Sequence, residues 1–215
     1  MRIKIYSVNK ELIIRSSSEA VDFALLKDGK LIELHKEQET SNFQVGDIFI
    51  AKIRKPVAGL NAAFVNVGFE KDAFLHYHDL GPNLASQLKF IKLVSTGKIK
   101  DFSLKNFQFE KEIDKDGTIT DVISANQSVL VQVVKEPIST KGPRISAELS
   151  LAGRFIVLVP FSDRVSISQK IEDKKEKDRL KRLVQSVKPK GFGVIVRTVA
   201  EGKNTAELEK DLQNL

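Results

Sequence analysis

The chain has 215 residues, enough for one large or two small domains with an adequate hydrophobic core. Its 35 Lys and Arg exceed its 28 Asp and Glu, and the resulting net charge of +7 favours a polyanionic partner. The absence of Cys excludes a disulfide scaffold and any thiolate metal site, no apolar run approaches the roughly 20 residues of a membrane span, and the N-terminus lacks the apolar core of a signal peptide, so we expect a soluble, cytoplasmic protein.

Residues 1–42 are predicted to form a small antiparallel sheet. The Asp28-Gly29 pair between two apolar runs is a strong hairpin signal. No helix in this segment could cover an apolar sheet face, so we expect it to pack on later residues or to belong to an unfinished domain. The strand-like runs are Ile3–Val8, Glu11–Arg15, Val21–Leu26 and Leu31–Leu34.

From about residue 43 the pattern changes to short strands separated by Gly and Pro turns, which predicts a small barrel. Its first strands are Ile48–Arg54, Ala62–Val67 and Ala73–His76. Residues 81–120 are polar, Lys-rich and weakly periodic. We interpret them as a long insertion between barrel strands, with one short helix around Leu84–Leu93, and a loop of this length is either functional or mobile.

Three apolar runs follow within Val129–Pro160, and the rest of the chain is arranged around them. Val129–Val134 and the alternating run Ile145–Leu151 are predicted to form a hairpin that completes the barrel. Its tip, Ser139–Arg144, contains Lys, Arg, Gly and Pro and is expected to lie in solvent. The buried strand Phe155–Val159 then starts the next module.

Aromatic and basic side chains alternate along the barrel strands. Phe64 and Phe74 lie near the ends of successive strands, and the cations Lys52, Arg54, Lys55 and Lys71 are interleaved with them in this part of the chain. Rings that stack on bases and cations that bind phosphates are typical of single-strand nucleic-acid binding. The residues alone leave a second interpretation open, in which both Phe are ordinary core residues.

The C-terminal third combines a helix and a buried strand. Leu180, Leu183, Val184 and Val187 form one apolar stripe in a predicted helix over Glu172–Lys188. The strand that follows places Arg197 and Thr198 at its end, where a guanidinium and a hydroxyl could bind one terminal phosphate. An ion pair is the alternative role for such an Arg. Asn204 and Glu207 then predict a capping box at the start of a last helix, which stops in mid-pattern.

Five segments carry a resemblance to a known family. GLNAAFVNVGFEKDAFLH, VLVQVVKEPISTKGPRIS, SLAGRFIVLVP, VSISQKIED and VIVRTVAEG resemble the N-terminal half of the ribonuclease E/G family, nearer to its ribonuclease G branch. The resemblance covers nearly the whole chain in the family's order, apart from the insertion.

This resemblance implies a mainly β fold with α+β parts. Residues 1–42 would begin a ribonuclease-H-like subdomain that is incomplete here, and residues 43–149 would form an S1-type OB barrel inserted in it. Residues 150–205 would form a small α/β domain, the 5′ sensor, which recognises a 5′-monophosphate on RNA. Residues 206–215 would start a helix that leads to a missing C-terminal part.

Site residues follow from the resemblance position by position. Arg197 and Thr198 match the phosphate-binding pair, and Gly153 and Val157 match positions that line its pocket. Gln169 and Lys170 stand where other members carry one or two Arg, and Lys170 is kept as a candidate phosphate ligand. Phe64, Phe74 and Lys141 match RNA-contacting positions of the family's barrel. Lys52, among the barrel strands, and Arg144, at the hairpin tip, are further RNA-binding candidates that rest on their own position and charge.

The family's activity is Mg²⁺-dependent hydrolysis of single-stranded RNA in RNA processing, including rRNA processing, and in mRNA decay. Its paired catalytic Asp residues lie C-terminal to every matched segment, and its zinc-binding Cys residues are missing here. We therefore expect this chain to contain no catalytic residues and no metal site, to bind single-stranded RNA with a 5′-monophosphate, and not to cleave it. The intact enzyme is expected to be a homo-oligomer.

Two further alternatives remain open at this stage. The chain could be a stand-alone OB-fold RNA-binding module without a link to cleavage. His76 and His78 could also form a metal pair, but with three His and no Cys available, adjacent loop imidazoles are the ordinary explanation.

Overall fold

A computed structural model describes residues 9–17, 20–38, 43–99, 103–137 and 141–215. The chain divides into two compact units, Met1–Asn42 and Phe43–Leu215. The predicted strand Ile3–Val8 and residues 139–140 of the predicted hairpin tip lie outside the described residues. None of the described helices is both long and apolar enough to cross a membrane.

The first unit contains the predicted antiparallel meander. Strands β1 (Lys10–Ser16), β2 (Ala20–Lys27) and β3 (Lys30–Gln38) pair in sequence order. Asp28 and Gly29 have φ angles of +50° and +76°, the left-handed conformation that a two-residue hairpin turn requires, so the predicted turn is confirmed. Leu12, Ile14 and Leu34 are all more than half exposed, so this sheet buries little of its own apolar surface.

Five strands of the second unit close into the predicted barrel, in the order β4-β5-β6-β8-β7. Inward-pointing side chains such as Ile53, Val65 and Leu75 are fully buried in its core, because strand residues alternate between the two faces. The strands are β4 (Ile48–Val57), β5 (Ala62–Asn66), β6 (Ala73–His76), β7 (Ser128–Lys135) and β8 (Arg144–Ser146).

The insertion packs against the barrel. It contains α1 (Leu84–Ser95), which confirms the predicted helix, and a single helical turn, α2 (Ile119–Val122), which the sequence did not predict. The buried Gln87 of α1 donates through Nε2 to the Ala147 carbonyl at 3.0 Å, and its Oε1 accepts from the Leu130 amide at 3.2 Å. These bonds fix α1 to the outside of β7.

The alternating run Ile145–Leu151 is not one strand, which corrects the prediction. β8 ends at Ser146, and Leu151 belongs to a different sheet. Where the chain passes from the barrel to that sheet, the Gln132 side chain of β7 donates to the Ser150 carbonyl and accepts from the Ser150 amide, each at 2.9 Å.

A four-stranded sheet in the order β11-β12-β10-β9 follows. One face buries Ile156, Leu158, Val194 and Val196 against two helices. Asp173 caps the first helix, and Asn204 and Glu207 form the predicted capping box at the second. The elements are β9 (Leu151–Ala152), β10 (Ile156–Pro160), β11 (Val165–Ile167), α3 (Lys174–Val187), β12 (Phe192–Val196) and α4 (Thr205–Gln213).

The insertion also contacts this C-terminal sheet region. The ring centroid of Phe161 lies 5.5 Å from that of Phe90 and 6.2 Å from that of Phe107. Gly191 has a φ of +84°, and a Cβ there would lie 2.4 Å from the Leu104 Cβ, so only Gly allows this approach. The insertion therefore joins the barrel to the C-terminal sheet within the second unit.

Candidate RNA-binding surfaces

Two phenylalanines lie side by side on the outside of the barrel. Phe64 of β5 and Phe74 of β6 are paired in register, with ring centroids 6.1 Å apart in an edge-to-face arrangement. They are 38% and 40% exposed, whereas their strand neighbours Val65 and Leu75 are fully buried. The core interpretation is therefore wrong for both rings, and each presents a face on which a base can stack.

Basic residues continue this row across the barrel. Lys55 is paired with Phe64, and Arg144 is paired with Phe74 on one side and with Lys135 on the other. Lys52 was predicted to bind RNA, but it is not paired with Phe64. It is paired with Asn66, two residues along β5 from Phe64. Sequence reasoning named Lys55 among the interleaved cations but missed Lys135, because only the register across strands places it in this row.

These cations differ in whether they already form ion pairs or side-chain hydrogen bonds within the protein. The Arg144 Nη2 lies 3.1 and 3.2 Å from the two carboxylate oxygens of Asp79, so part of its guanidinium is occupied. Lys52, Lys55 and Lys141 are exposed and have no ion pair or side-chain hydrogen bond within the described residues. Together with the two rings, they form a surface suited to the bases and phosphates of a single strand.

A second candidate site lies where β12 ends. The exposed Arg197 donates from Nη1 to the Gly153 carbonyl at 2.7 Å, and its amide donates to the Phe155 carbonyl at 2.8 Å. Within the described part of the chain, no carboxylate pairs with this guanidinium. A guanidinium has five N–H donors, so most remain available for an anion.

Thr198 follows directly and is half-buried. Its hydroxyl forms a hydrogen bond of 3.0 Å with the hydroxyl of Ser168, and either oxygen can be the donor. Ser168 Oγ also accepts from the Lys170 amide at 3.4 Å, which brings Lys170 to the same corner. Sequence reasoning missed Ser168, because only the pairing of β11 with β12 brings it beside Thr198.

The loop that carries Gly153 is fixed by a carboxylate from α4. Asp211 accepts from the backbone N–H groups of Arg154, Phe155 and Ile156 at 3.0, 2.8 and 3.1 Å. A Cβ on Gly153 would lie 2.6 Å from Asp211 Oδ2, which explains the glycine. Val157 follows on β10, opposite Ile195. The structure thus brings Gly153, Arg197, Thr198, Val157 and Lys170 to one end of the sheet.

The His pair is a local cap. The His76 Nδ1 accepts from the His78 amide at 3.2 Å, and the two ring centroids are 5.1 Å apart. Across the described ranges, no group of three or more His, Asp or Glu side chains could hold a metal ion.

The chain is similar in sequence to known proteins. A sequence profile of the Ribonuclease E/G family matches residues 150–215. Ribonuclease G of Escherichia coli is 32% identical over 201 residues, which is 94% of this chain and 37% of that protein. Ribonuclease G of Haemophilus influenzae is 32% identical over 205 residues, or 95% of this chain and 38% of that protein. Ribonuclease E of Nostoc sp. is 36% identical over 177 residues, or 82% of this chain and 22% of that protein.

The chain therefore spans well under half of the length of these relatives. Similarity over 94% of its residues, together with the profile match at its C-terminal end, shows that the chain belongs to the ribonuclease E/G family.

Proposed function

We propose that this chain is the RNA-binding and 5′-monophosphate-sensing portion of a single-strand endoribonuclease that acts in RNA processing and decay. One observation carries the proposal. Arg197 is exposed at a strand end, its guanidinium is oriented by the Gly153 carbonyl rather than neutralised by a carboxylate, and Thr198 lies beside it.

The chemistry of this corner suits a terminal phosphate. A guanidinium forms charge-assisted hydrogen bonds with phosphate oxygens, and the Thr198 hydroxyl can donate to a third oxygen. A 5′-hydroxyl end lacks these oxygens and their charge, so it gains little from Arg197. Lys170 would add a more distant positive charge, and Gly153 and Val157 would line the pocket.

The remaining parts of the chain fit the same proposal. The barrel would be an S1-type OB domain in which Phe64 and Phe74 stack on bases, with Lys52, Lys141 and Arg144 near the phosphates. Residues 150–205 would be the 5′ sensor, and residues 1–42 would be the first strands of a ribonuclease-H-like subdomain. Exposed apolar side chains on β1 and β3 agree with a sheet that packs on further residues.

We assign hydrolysis, its Mg²⁺ cofactor and homo-oligomer formation to an intact cytoplasmic enzyme rather than to these residues alone. The ribonuclease G relatives are longer than the region matched here, which is 37% of the Escherichia coli protein. Incubation of this chain with RNA and Mg²⁺ should leave the RNA intact, and clean cleavage that survives repurification would contradict this assignment.

The central test compares two RNAs that differ only at their 5′ ends. A short single strand with a 5′-monophosphate should bind more tightly than its 5′-hydroxyl twin, and Arg197→Ala should remove the difference. Loss of one charge-assisted contact is worth roughly 1.5–3 kcal/mol, or about 10- to 150-fold in Kd. Arg182→Ala is the matched control, because Arg182 is an exposed arginine on α3.

The exposed aromatic pair supports a second candidate, a plain OB-type RNA-binding module. That module would bind through Phe64 and Phe74 without regard to the 5′ end. Equal affinities for the two RNAs in the wild-type protein would favour the module over the sensor.

A further inference from the structure

A cleft of about 140 Å³ lies on the outer face of the C-terminal sheet, between that sheet and the start of the insertion. Its volume is several times the roughly 30 Å³ of a water molecule and below the 300 Å³ at which drug-sized pockets begin. It is therefore the right size for one planar ring. Neither the Arg197 site nor the barrel face uses it.

The floor of the cleft is apolar on β10 and β12 and polar on β11, where Ser166 is paired with Ile195. Val159 and Ile195 lie on the sheet face that is not covered by α3 and α4, and Ile195 is 43% exposed. Pro82 and Asn83 form the opposite wall. This wall is close because Gly81 has a φ of +72° and approaches Glu148 so tightly that a Cβ on Gly81 would lie 2.7 Å from the Glu148 Cβ.

The rim of the cleft is polar, and two of its side chains form no hydrogen bond or ion pair within the part of the chain that the structure describes. The Asn83 side chain does not cap α1. Within the described residues, neither that amide nor the Glu148 carboxylate has a hydrogen-bond or ion-pair partner. Glu112, in contrast, is neutralised by Arg164 at 2.7 Å.

The charge at the rim decides which part of a nucleotide can enter. With Glu112 paired, Glu148 leaves the cleft with a net negative charge, which repels a phosphate. A carboxylate instead accepts hydrogen bonds from N–H groups on a base edge. The combination of an apolar floor and an unpaired carboxylate suits a nucleobase and disfavours a backbone phosphate.

The cleft lies along the same strand face as the phosphate site. Strand residues alternate between faces, so Ile195 and Arg197 project on the same side of β12. Two residues span roughly 7 Å, which is about two nucleotide rises of a stacked strand. An RNA whose 5′-phosphate lies at Arg197 can therefore place one of its first bases over Ile195.

We propose that this cleft binds a nucleobase within the first three nucleotides of the RNA and prefers guanine, with Glu148 as the specificity residue. Guanine presents two adjacent donors, N1–H and the N2 amino group, to one carboxylate, whereas adenine presents a single amino donor on the same edge. The position of the base rests on the proposed 5′-end function, because the phosphate at Arg197 sets where the strand begins.

The test uses 5′-monophosphate and 5′-hydroxyl RNAs that carry guanine, inosine, adenine or an abasic site at nucleotide 1, 2 or 3. At one of these positions guanine should bind about 3- to 10-fold more tightly than inosine, which lacks the N2 amino group, or adenine. Glu148→Gln should reduce this preference. Glu209→Gln is the matched control, because Glu209 is exposed on α4, and melting curves should show that both variants fold.

The outcomes separate this inference from the proposed function. If base identity and abasic sites have no effect while the 5′-monophosphate still improves binding, the cleft is not a base site and the sensor stands. If the monophosphate gives no advantage but guanine preference persists and depends on Glu148, the sensor is wrong and the cleft stands. A guanine preference that is unchanged in Glu148→Gln overturns the role of Glu148.

Discussion

The barrel face and the Arg197 corner are built from different chemistry. The barrel presents two rings that are 38% and 40% exposed, with lysines beside them. The Arg197 corner presents a guanidinium and two hydroxyls beside the Gly153 loop, which the Asp211 carboxylate holds. Every base has a face that can stack, whereas only a chain end offers a terminal phosphate. We therefore propose that affinity for RNA and recognition of the 5′ end reside in separate places.

The barrel rings should have the largest effect on affinity. Phe64→Ala together with Phe74→Ala should weaken binding of 5′-monophosphate and 5′-hydroxyl RNA by the same factor, because each lost stack is worth roughly 1–3 kcal/mol. Fluorescence anisotropy with both RNAs measures this. Phe74→Tyr keeps an aromatic face and should bind almost as well as the wild type. Unchanged affinity in the double Ala variant would exclude stacking on this face.

The hydroxyl at the Arg197 corner should have a smaller and more selective effect. Thr198→Val keeps the shape of the side chain but removes a neutral donor, which is worth about 0.5–1.5 kcal/mol. Binding of the 5′-monophosphate RNA should weaken by about 2- to 13-fold, while binding of the 5′-hydroxyl RNA stays constant. A loss that is equal for both RNAs would instead indicate a folding defect at this corner.

The salt dependence of RNA binding should also distinguish the barrel face from the Arg197 corner. For single strands, the slope of log K against log salt is more negative by about 0.7 for each phosphate contact. Arg197→Ala should therefore reduce the slope by about 0.7 for the 5′-monophosphate RNA only, whereas the Phe variants should leave it unchanged. Titrations between about 50 and 200 mM salt measure these slopes. A slope that changes in the Phe variants would show that the rings also position phosphates.

Acid should weaken the C-terminal region of the second unit. The Arg179 side-chain hydrogen bonds, and then the Gly202 amide, lower the pKa of Glu176 from 4.5 to about 2. Because the folded pKa is depressed, this contribution to stability is present above pH 4.5 and is lost as the pH falls towards 2. Lys203 also lowers the pKa of Glu207. Glu176→Gln should therefore remove only part of the pH dependence of the unfolding free energy in this range. Unfolding free energies at several pH values measure the effect.

Local signals in the sequence predicted much of the fold. The Asp28-Gly29 turn, helix α1 and the Asn204–Glu207 capping box each depend on neighbouring residues and were confirmed. The prediction of one strand over Ile145–Leu151 was wrong, because period-2 alternation indicates a strand but not which sheet that strand joins. Where the run divides, Ser150 is bonded to Gln132, a residue 18 positions away.

The candidate sites show the same limit. Alternation alone does not say which face of a strand is outside, so Phe64 and Phe74 could not be placed until the barrel closed around Val65 and Leu75. Ser168 reaches Thr198, and Asp211 reaches Phe155, across separations of 30 and 56 residues. No local pattern specifies such contacts. The strand-end pattern pointed to Arg197 and Thr198, and the resemblance to a family added Gly153. Neither supplied Ser168 or Asp211.

The 5′-monophosphate preference of the Phe64→Ala/Phe74→Ala variant is the most direct test of whether 5′-end recognition is separate from the barrel. The measured quantity is the ratio of the Kd values for 5′-hydroxyl and 5′-monophosphate RNA, in this variant and in the wild type. We expect both affinities to fall and the ratio to stay at its wild-type value, well above one. A ratio that collapses to one when the barrel rings are removed, or that is already one in the wild type, would contradict the account.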